Sequence, residues 1–340
     1  MELYLLPVLS ILAGFALLIW SSDVFVDGAA DLARHFGISP ILVGMLVIGF
    51  GTSAPEMLVS GVAAFNGNPD MGIGNGIGSN ITNITLVLGI TALFYVLPVE
   101  SRIVEKELPL LLVISFIAMI VLYFGEFGPL DGLILLVTLG FVLTWMIYAA
   151  TRDRETSPPP HDPLLEDIKD HFPPTPHRKT AMLWTIGGLL LLLISSQMLV
   201  WGASSIAVTL GISDLVIGLT IVAIGTSLPE LAATLVSAKK GETDLAIGNI
   251  VGSNFFNTLG VLALPAIISP HIPDSNAIFR DMPIAILMSA VLLLFAWGCW
   301  NKRIINFWKG AILLTLFIGY QFLLFYHSTN DITCRTFFCF

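Results

Sequence analysis

Two hexapeptides put ionisable and hydroxylic side chains inside long apolar runs: Gly51-Thr52-Ser53-Ala54-Pro55-Glu56 and Gly225-Thr226-Ser227-Leu228-Pro229-Glu230. Twenty-four residues after each glutamate comes the asparagine of a Gly-Ser-Asn triplet, Asn80 and Asn254, and Asn83 and Asn257 follow three residues later. The spacing has chemical content. Each proline lacks an N–H, so the carbonyls of Gly51 and Gly225 lose their helical partners. Thr52 and Glu56 are four apart, as are Thr226 and Glu230, which predicts a hydroxyl and a carboxylate on one helix face. The two Asn pairs, three apart, present amide oxygens on one side. Together the motifs offer two carboxylates, four amides, four hydroxyls and freed backbone carbonyls. That is an all-oxygen set suited to hard cations: Ca²⁺ takes about 6–8 oxygens at roughly 2.3–2.6 Å, and Na⁺ fits similar cages. Zinc and copper favour His or Cys, which neither motif supplies.

The elements that must position these groups are membrane helices. Of 340 residues, 56% are hydrophobic and 11% charged, with a mean hydropathy of +0.88. Such a chain is an all-α polytopic membrane protein, and its net charge of −9 lies in loops and tails, with no basic face for nucleic acid. The run from Leu3 to Trp20 follows Met1-Glu2 without a basic flank, which predicts a retained span. Reading for about 20 apolar residues per crossing gives ten spans, near 3–33, 40–66, 70–96, 104–124, 129–150, 181–209, 214–238, 244–268, 281–300 and 304–326. An acid at mid-bilayer costs about 2.5–3.5 kcal/mol even on insertion scales, so Glu56 and Glu230 demand a function.

The two motifs belong to a duplication. A shift of 174 residues superposes Gly37-Ile38-Ser39 on Gly211-Ile212-Ser213, Glu56 on Glu230, Asp70 on Asp244 and Pro109 on Pro283. From Gly51 to Gly89 the shift needs no gap, and 18 of 39 positions are identical. Each unit has five spans, an odd number, so the second enters the membrane inverted. Inverted repeats with broken helices at matching positions are the sequence mark of a transport site near the midplane. The chain therefore divides into a first repeat (1–150), a linker (151–179), a second repeat (180–327) and a tail (328–340). Of the 15 basic residues, 13 fall on one side and only Arg280 and Arg335 on the other. The positive-inside rule then puts both termini outside and the proline-rich linker in the cytoplasm.

Other features have plainer readings. Asp70 and Asp244 suit the starts of helices, where the dipole favours acids. Asp23 and Asp27 share a face of the first helix but correspond to Gln197 and Trp201, so they stand outside the duplicated site and read as interfacial or structural. Asn83 and Asn257 fit interhelical hydrogen bonds as well as ligation. Gly74, Gly78, Gly248 and Gly252 predict close approach between acid-bearing and Asn-bearing helices. The three cysteines form no metal-ligand pattern; Cys334 and Cys339 are spaced to bridge or to stay free. No enzymatic motif is present, and the motifs call for no cofactor.

Over essentially its whole membrane region the chain resembles the calcium/cation antiporter superfamily, in the prokaryotic sodium/calcium exchanger group. The paired G-T-S-x-P-E and G-S-N stretches match that group's two alpha repeats. The resemblance implies ten transmembrane helices in two inverted five-helix repeats around a central cation site, in the plasma membrane, with a monomer sufficient for transport. It implies that Glu56 and Glu230 are the principal Ca²⁺ ligands. Thr52, Ser53, Thr226 and Ser227, with the carbonyls of Gly49 and Ala223, would surround Na⁺ positions, and Asn80 and Asn254 would line the middle. It further implies antiport by alternating access, with the first and sixth helices sliding over a fixed core and calcium exported. Two acids balance one Ca²⁺ or two Na⁺. Ca²⁺/H⁺ exchange, potassium-dependent exchange and, more remotely, a cation channel are the alternatives.

Overall fold

The computed structural model describes residues 2–36, 39–156, 178–210, 223–298 and 303–337, nearly all of them helical. We number the membrane helices in chain order. The first repeat comprises α1 (Glu2–Phe36), α2 (Pro40–Phe65), α3 (Pro69–Phe94), α4 (Ile103–Tyr123) and α5 (Pro129–Thr156). The second comprises α6 (Arg178–Thr209), α7 (described from Ala223 to Lys239), α8 (Thr243–Ile268), α9 (Ala277–Trp297) and α10 (Phe307–Phe337). Among the described residues nine helices are long and apolar enough to cross a membrane. The tenth expected crossing is α7, whose residues 211–222 lie outside the described ones. Most of the linker and Cys339 also lie outside them.

Most helix ends fall within a few residues of expectation, and the exceptions have local causes. The ninth span begins at Ala277 rather than 281, because Arg280 pairs with Asp281 at 2.8 Å and lets the polar turn join the helix. The tenth begins at Phe307 because Ile304–Ile305 pair antiparallel with Leu97–Pro98 instead. It then runs to Phe337, through most of the expected tail.

The duplication extends to backbone detail. Single π-helical turns occur at Asn83–Val87 and Asn257–Val261, and again at Ile103–Glu107 and Ala277–Asp281, each pair 174 residues apart. Such turns recur at functional positions in helices. α1 and α6 pack against each other through four glycines that also form two repeat pairs. A Cβ on Gly28 would lie 2.5 Å from the Thr185 nitrogen, and one on Gly202 would lie 2.7 Å from the Pro7 oxygen. One on Gly188 would lie 2.7 Å from the Phe25 nitrogen, and one on Gly14 would lie 3.1 Å from the Ser195 oxygen. A methyl group at Gly28, Gly188 or Gly202 would strike backbone, and one at Gly14 would need its neighbours to give by a few tenths of an ångström.

The remaining described helices build the core around α8, the most buried of them. Gly248 and Gly252 do press backbones together, as their spacing predicts, but across the halves: their Cβ positions lie 2.5 Å from the Ile41 oxygen and 2.3 Å from the Met45 oxygen of α2. The stretch corresponding to Ile41–Met45 in the second half, residues 215–219, lies outside the described residues. Asp70 starts α3 as expected and also accepts a hydrogen bond from the Asp274 N–H (2.9 Å), tying α3 to the α8–α9 loop. A second repeated pair of buried acids, Glu107 and Asp281, sits beside the paired prolines. Glu107 bonds Arg102 at 2.7 Å, and Asp281 accepts from Arg280 and from Tyr320.

Candidate functional site

Both motif helices break where the prolines predict. α2 is helical over Gly49–Thr52, turns at Ser53 (φ −81°, ψ 1°) and resumes over Ala54–Phe65. α7 repeats this at Ser227 (φ −90°, ψ 5°), between Ala223–Thr226 and Leu228–Lys239. Each break leaves its glutamate in the first turn of the new segment, where the N-terminal dipole favours a negative charge.

Glu56 and Glu230 are both fully buried, with relative exposures of 0%. They come from opposite halves and lie close enough for their charges to act on each other. The hydroxyls do not pair with the acid of their own helix, as a continuous helix would require. They cross over. Ser53 Oγ donates to Glu230 Oε1 at 3.5 Å, and Thr52 turns to Asn249 of the other half at 3.1 Å. The turn at Ser53 rotates these hydroxyls away from their own glutamate and toward the other half.

The asparagines of α3 and α8 close around this pair. Asn80 donates to Thr258 Oγ1 at 2.8 Å, and Asn83 donates to Asn254 Oδ1 at 3.4 Å. Asn254 therefore spends its amide oxygen on Asn83. Asn83 and Asn257, each fully buried and each opening a π-helical turn, keep their amide oxygens unpaired. The Gly49 carbonyl accepts the Ser253 hydroxyl at 3.3 Å, and Ala223 starts the described part of α7.

Buried side-chain polar atoms without a partner concentrate here. Of the twelve found among the described residues, nine belong to Glu56, Glu230, Ser227 and the four asparagines. Seven of the nine are oxygens able to accept or ligate: both of Glu56, Glu230 Oε2, Ser227 Oγ, and Oδ1 of Asn80, Asn83 and Asn257. Buried polar groups are normally satisfied, and each unpaired one costs about 1–3 kcal/mol. A cluster of oxygens facing this deficit is fitted to a bound cation.

Some contributors carry no mark in the two motifs. Asn75 donates to the Glu56 carbonyl at 3.0 Å, and Asn249, its partner under the 174-residue shift, donates to the Glu230 carbonyl at 3.3 Å. Asn249 also accepts from Thr52 at 3.1 Å, which joins the halves. The carbonyl freed by Pro229, that of Gly225, accepts the Ser196 hydroxyl of α6 at 2.7 Å. The equivalent Ser22 bonds Ile19 within α1 instead. The only sequence signal for these residues is their identity across the duplication.

Access to the site differs between its two ends. A cavity of about 920 Å³ is lined by Ala54, Pro55, Leu58, Asn66, Gln197 and Trp201 among others, and it reaches the residue before Glu56. At the corresponding positions of the other half, Ala232 and Ala233 are buried in an apolar cluster with Phe25, Val26 and Ala29 of α1.

The arrangement is that of a membrane protein with a buried, oxygen-lined site between two inverted halves. The sodium/calcium exchanger protein family matches residues 6–148 and 180–326, and the chain belongs to this family of membrane ion exchangers. It is 45% identical over 321 residues to the putative antiporter CaxA of Alkalimonas amylolytica, covering 94% of this chain and 99% of that protein. It is 27% identical to the sodium/calcium exchanger MaX1 of Methanosarcina acetivorans, covering 94% and 98%. Its fold matches the sodium-calcium exchanger NCX_Mj, solved in crystals soaked with 2.5 mM Na⁺ and 0.1 mM Ca²⁺, with a TM-score of 0.78, 34% identity and coverage of 92% and 97%. The ten-helix inverted-repeat architecture is thus that of the family.

Proposed function

We propose that Glu56 and Glu230 hold the transported ion in an antiporter that exchanges Ca²⁺ for Na⁺ by alternating access. One observation carries this assignment: two fully buried carboxylates from opposite halves, one reached by the other half's Ser53 and both set among unpaired oxygens. Ca²⁺ takes both carboxylates with amide oxygens from Asn83 and Asn257 beside them, and Asn80 and Asn254 brace the middle. Two Na⁺ replace its charge, using the hydroxyls of Thr52, Ser53, Thr226 and Ser227 and the carbonyls of Gly49 and Ala223. Because the site lies in low dielectric, either acid left alone with a divalent ion leaves charge uncompensated. Occupied states are therefore electrically balanced ones, and this couples the two fluxes.

The excess of Lys and Arg on one side supports an orientation with the cavity's Asn66 end and both termini outside, and Lys240 and the linker in the cytoplasm, for a protein of the plasma membrane. Sodium entering down its gradient then drives calcium export. No cofactor takes part, and a single chain carries the whole site.

Purified protein in liposomes should accumulate radioactive calcium when an outward Na⁺ gradient is imposed. A pH gradient alone should drive little uptake, which separates sodium from proton coupling. Glu56→Gln and Glu230→Gln should each abolish uptake while the protein stays folded. Full transport by either variant would remove the basis of the assignment.

A further inference from the structure

The two ends of the molecule are related by the 174-residue shift, yet at one set of matched positions charge sits at only one of them. Lys240, in the turn between α7 and α8, reaches back to α1. Its ammonium group lies 3.1 Å from Asp23 Oδ1, 2.8 Å from Asp27 Oδ1 and 3.0 Å from the Asp23 carbonyl. Beyond it, Arg34 of α1 pairs with Glu242 of the same turn at 3.1 Å. Beneath Lys240 lies the apolar seal of Phe25, Val26 and Ala29 against Ala232 and Ala233. The shift carries Lys240 to Asn66, Asp23 to Gln197 and Asp27 to Trp201. Those three uncharged residues all line the open cavity.

One end is therefore closed with an ionic clasp, and its counterpart is open and built from residues that cannot form one. Position adds to the argument. Asp23 and Asp27 are four apart on one face, so without Lys240 their charges repel each other. Lys240 follows α7 directly, where the helix dipole favours a cation. The same two halves also differ at Ser196, which bonds Gly225 of α7, while the matching Ser22 bonds within α1.

We infer that Lys240, Asp23 and Asp27 form a one-sided latch that sets which face of the membrane the ion site prefers to meet. They act on position through α1 and do not touch the ion. The inference rests on the alternating-access reading above. In that reading the latch holds the end bearing Lys240 shut and favours the state open at Asn66. Breaking it shifts the equilibrium toward the other state, and the apparent affinity for a cation arriving at either face follows the population competent on that face. Two partly exposed ion pairs correspond to an equilibrium shift of about three- to tenfold.

The test uses thiol accessibility in nanodiscs, where a membrane-impermeant maleimide reaches both faces. Ala232→Cys, made with the three native cysteines replaced by serine, reports opening at the latched end. Adding Lys240→Gln should raise its labelling rate about three- to tenfold. High salt should produce the same rise with Lys240 present and little change once it is gone. The charge-reversed combination Lys240→Glu, Asp23→Lys, Asp27→Lys should restore slow labelling. Labelling unaltered by Lys240→Gln, or a rise that charge reversal does not undo, overturns the latch. Neither result depends on ion flux, so a latch that fails is distinguishable from an exchanger reading that fails in the liposome assay.

Discussion

Gly252→Ala tests the close packing between halves on which the ion site depends. The added methyl carbon would sit 2.3 Å from the Met45 oxygen, 2.5 Å from its Cα and 2.8 Å from its carbonyl carbon. These neighbours are backbone, so no side-chain rotation relieves the contact. Restoring an ordinary separation, about 3.5 Å between carbon atoms, requires α2 and α8 to part by roughly 1 Å. Overpacking that a core can absorb costs about 1–3 kcal/mol, and this position lies at or beyond the upper end. An apparent melting temperature in detergent should fall by roughly 5–10 °C. Function should suffer more than stability, because Ser253, the next residue, bonds the Gly49 carbonyl and approaches Thr52 at 3.3 Å. A displacement of about 1 Å at such a site is worth roughly a hundredfold in rate. Gly61→Ala is the control: its methyl would meet only Leu264 and Ile268 side chains at 3.8 and 3.9 Å, and alanine is the better helix former. Calcium uptake and melting should both survive there. If Gly252→Ala transports and melts like Gly61→Ala, the backbone contact between α2 and α8 is not what holds the halves in register.

Two further outcomes follow from groups described above. Ser196→Ala leaves the Gly225 carbonyl without its donor and should lower stability by about 1–3 kcal/mol, whereas Ser22→Ala, losing only a bond within its own helix, should cost less; paired melting curves decide it. Glu100, in the loop before α4, has its carboxyl pushed above the usual range by burial and by the neighbouring Asp244 charge. A carboxyl raised on folding holds its proton longer in the native state, so its contribution to stability is present at low pH and lost as pH rises above the ordinary carboxylate value. Glu100→Gln should therefore melt higher than wild type near pH 8 and match it near pH 4, and equal melting at both would show that the Asp244 charge is not felt.

The spans, the inversion and the two acids were legible in the sequence because a bilayer tolerates few alternatives: only apolar helices cross it, and an acid within one stands out. The prolines likewise fixed the breaks at Ser53 and Ser227. What the sequence concealed was tertiary. Thr52 sits four residues before Glu56, yet the turn at Ser53 sends its hydroxyl to Asn249 and Ser253 of α8. Asn75 and Asn249 fall outside the two conspicuous motifs, and their bonds to the glutamate carbonyls depend on how α2 meets α3 and α7 meets α8. The π-helical turns at Asn83 and Asn257 arise from a change in hydrogen-bond partner that no residue type announces. The Asp23–Asp27 pair was visible as a shared face, but its cation came from the far half of the chain.

The four glycines that fuse α1 to α6 have a mechanical corollary. Two rods joined at matched points on both sides of their crossing swing as a see-saw, so lifting one end lowers the other. A position with both mouths ajar would tear backbone from backbone at Gly28–Thr185 and Gly202–Pro7 together. On the alternating-access proposal, this joint would keep the two mouths from opening together.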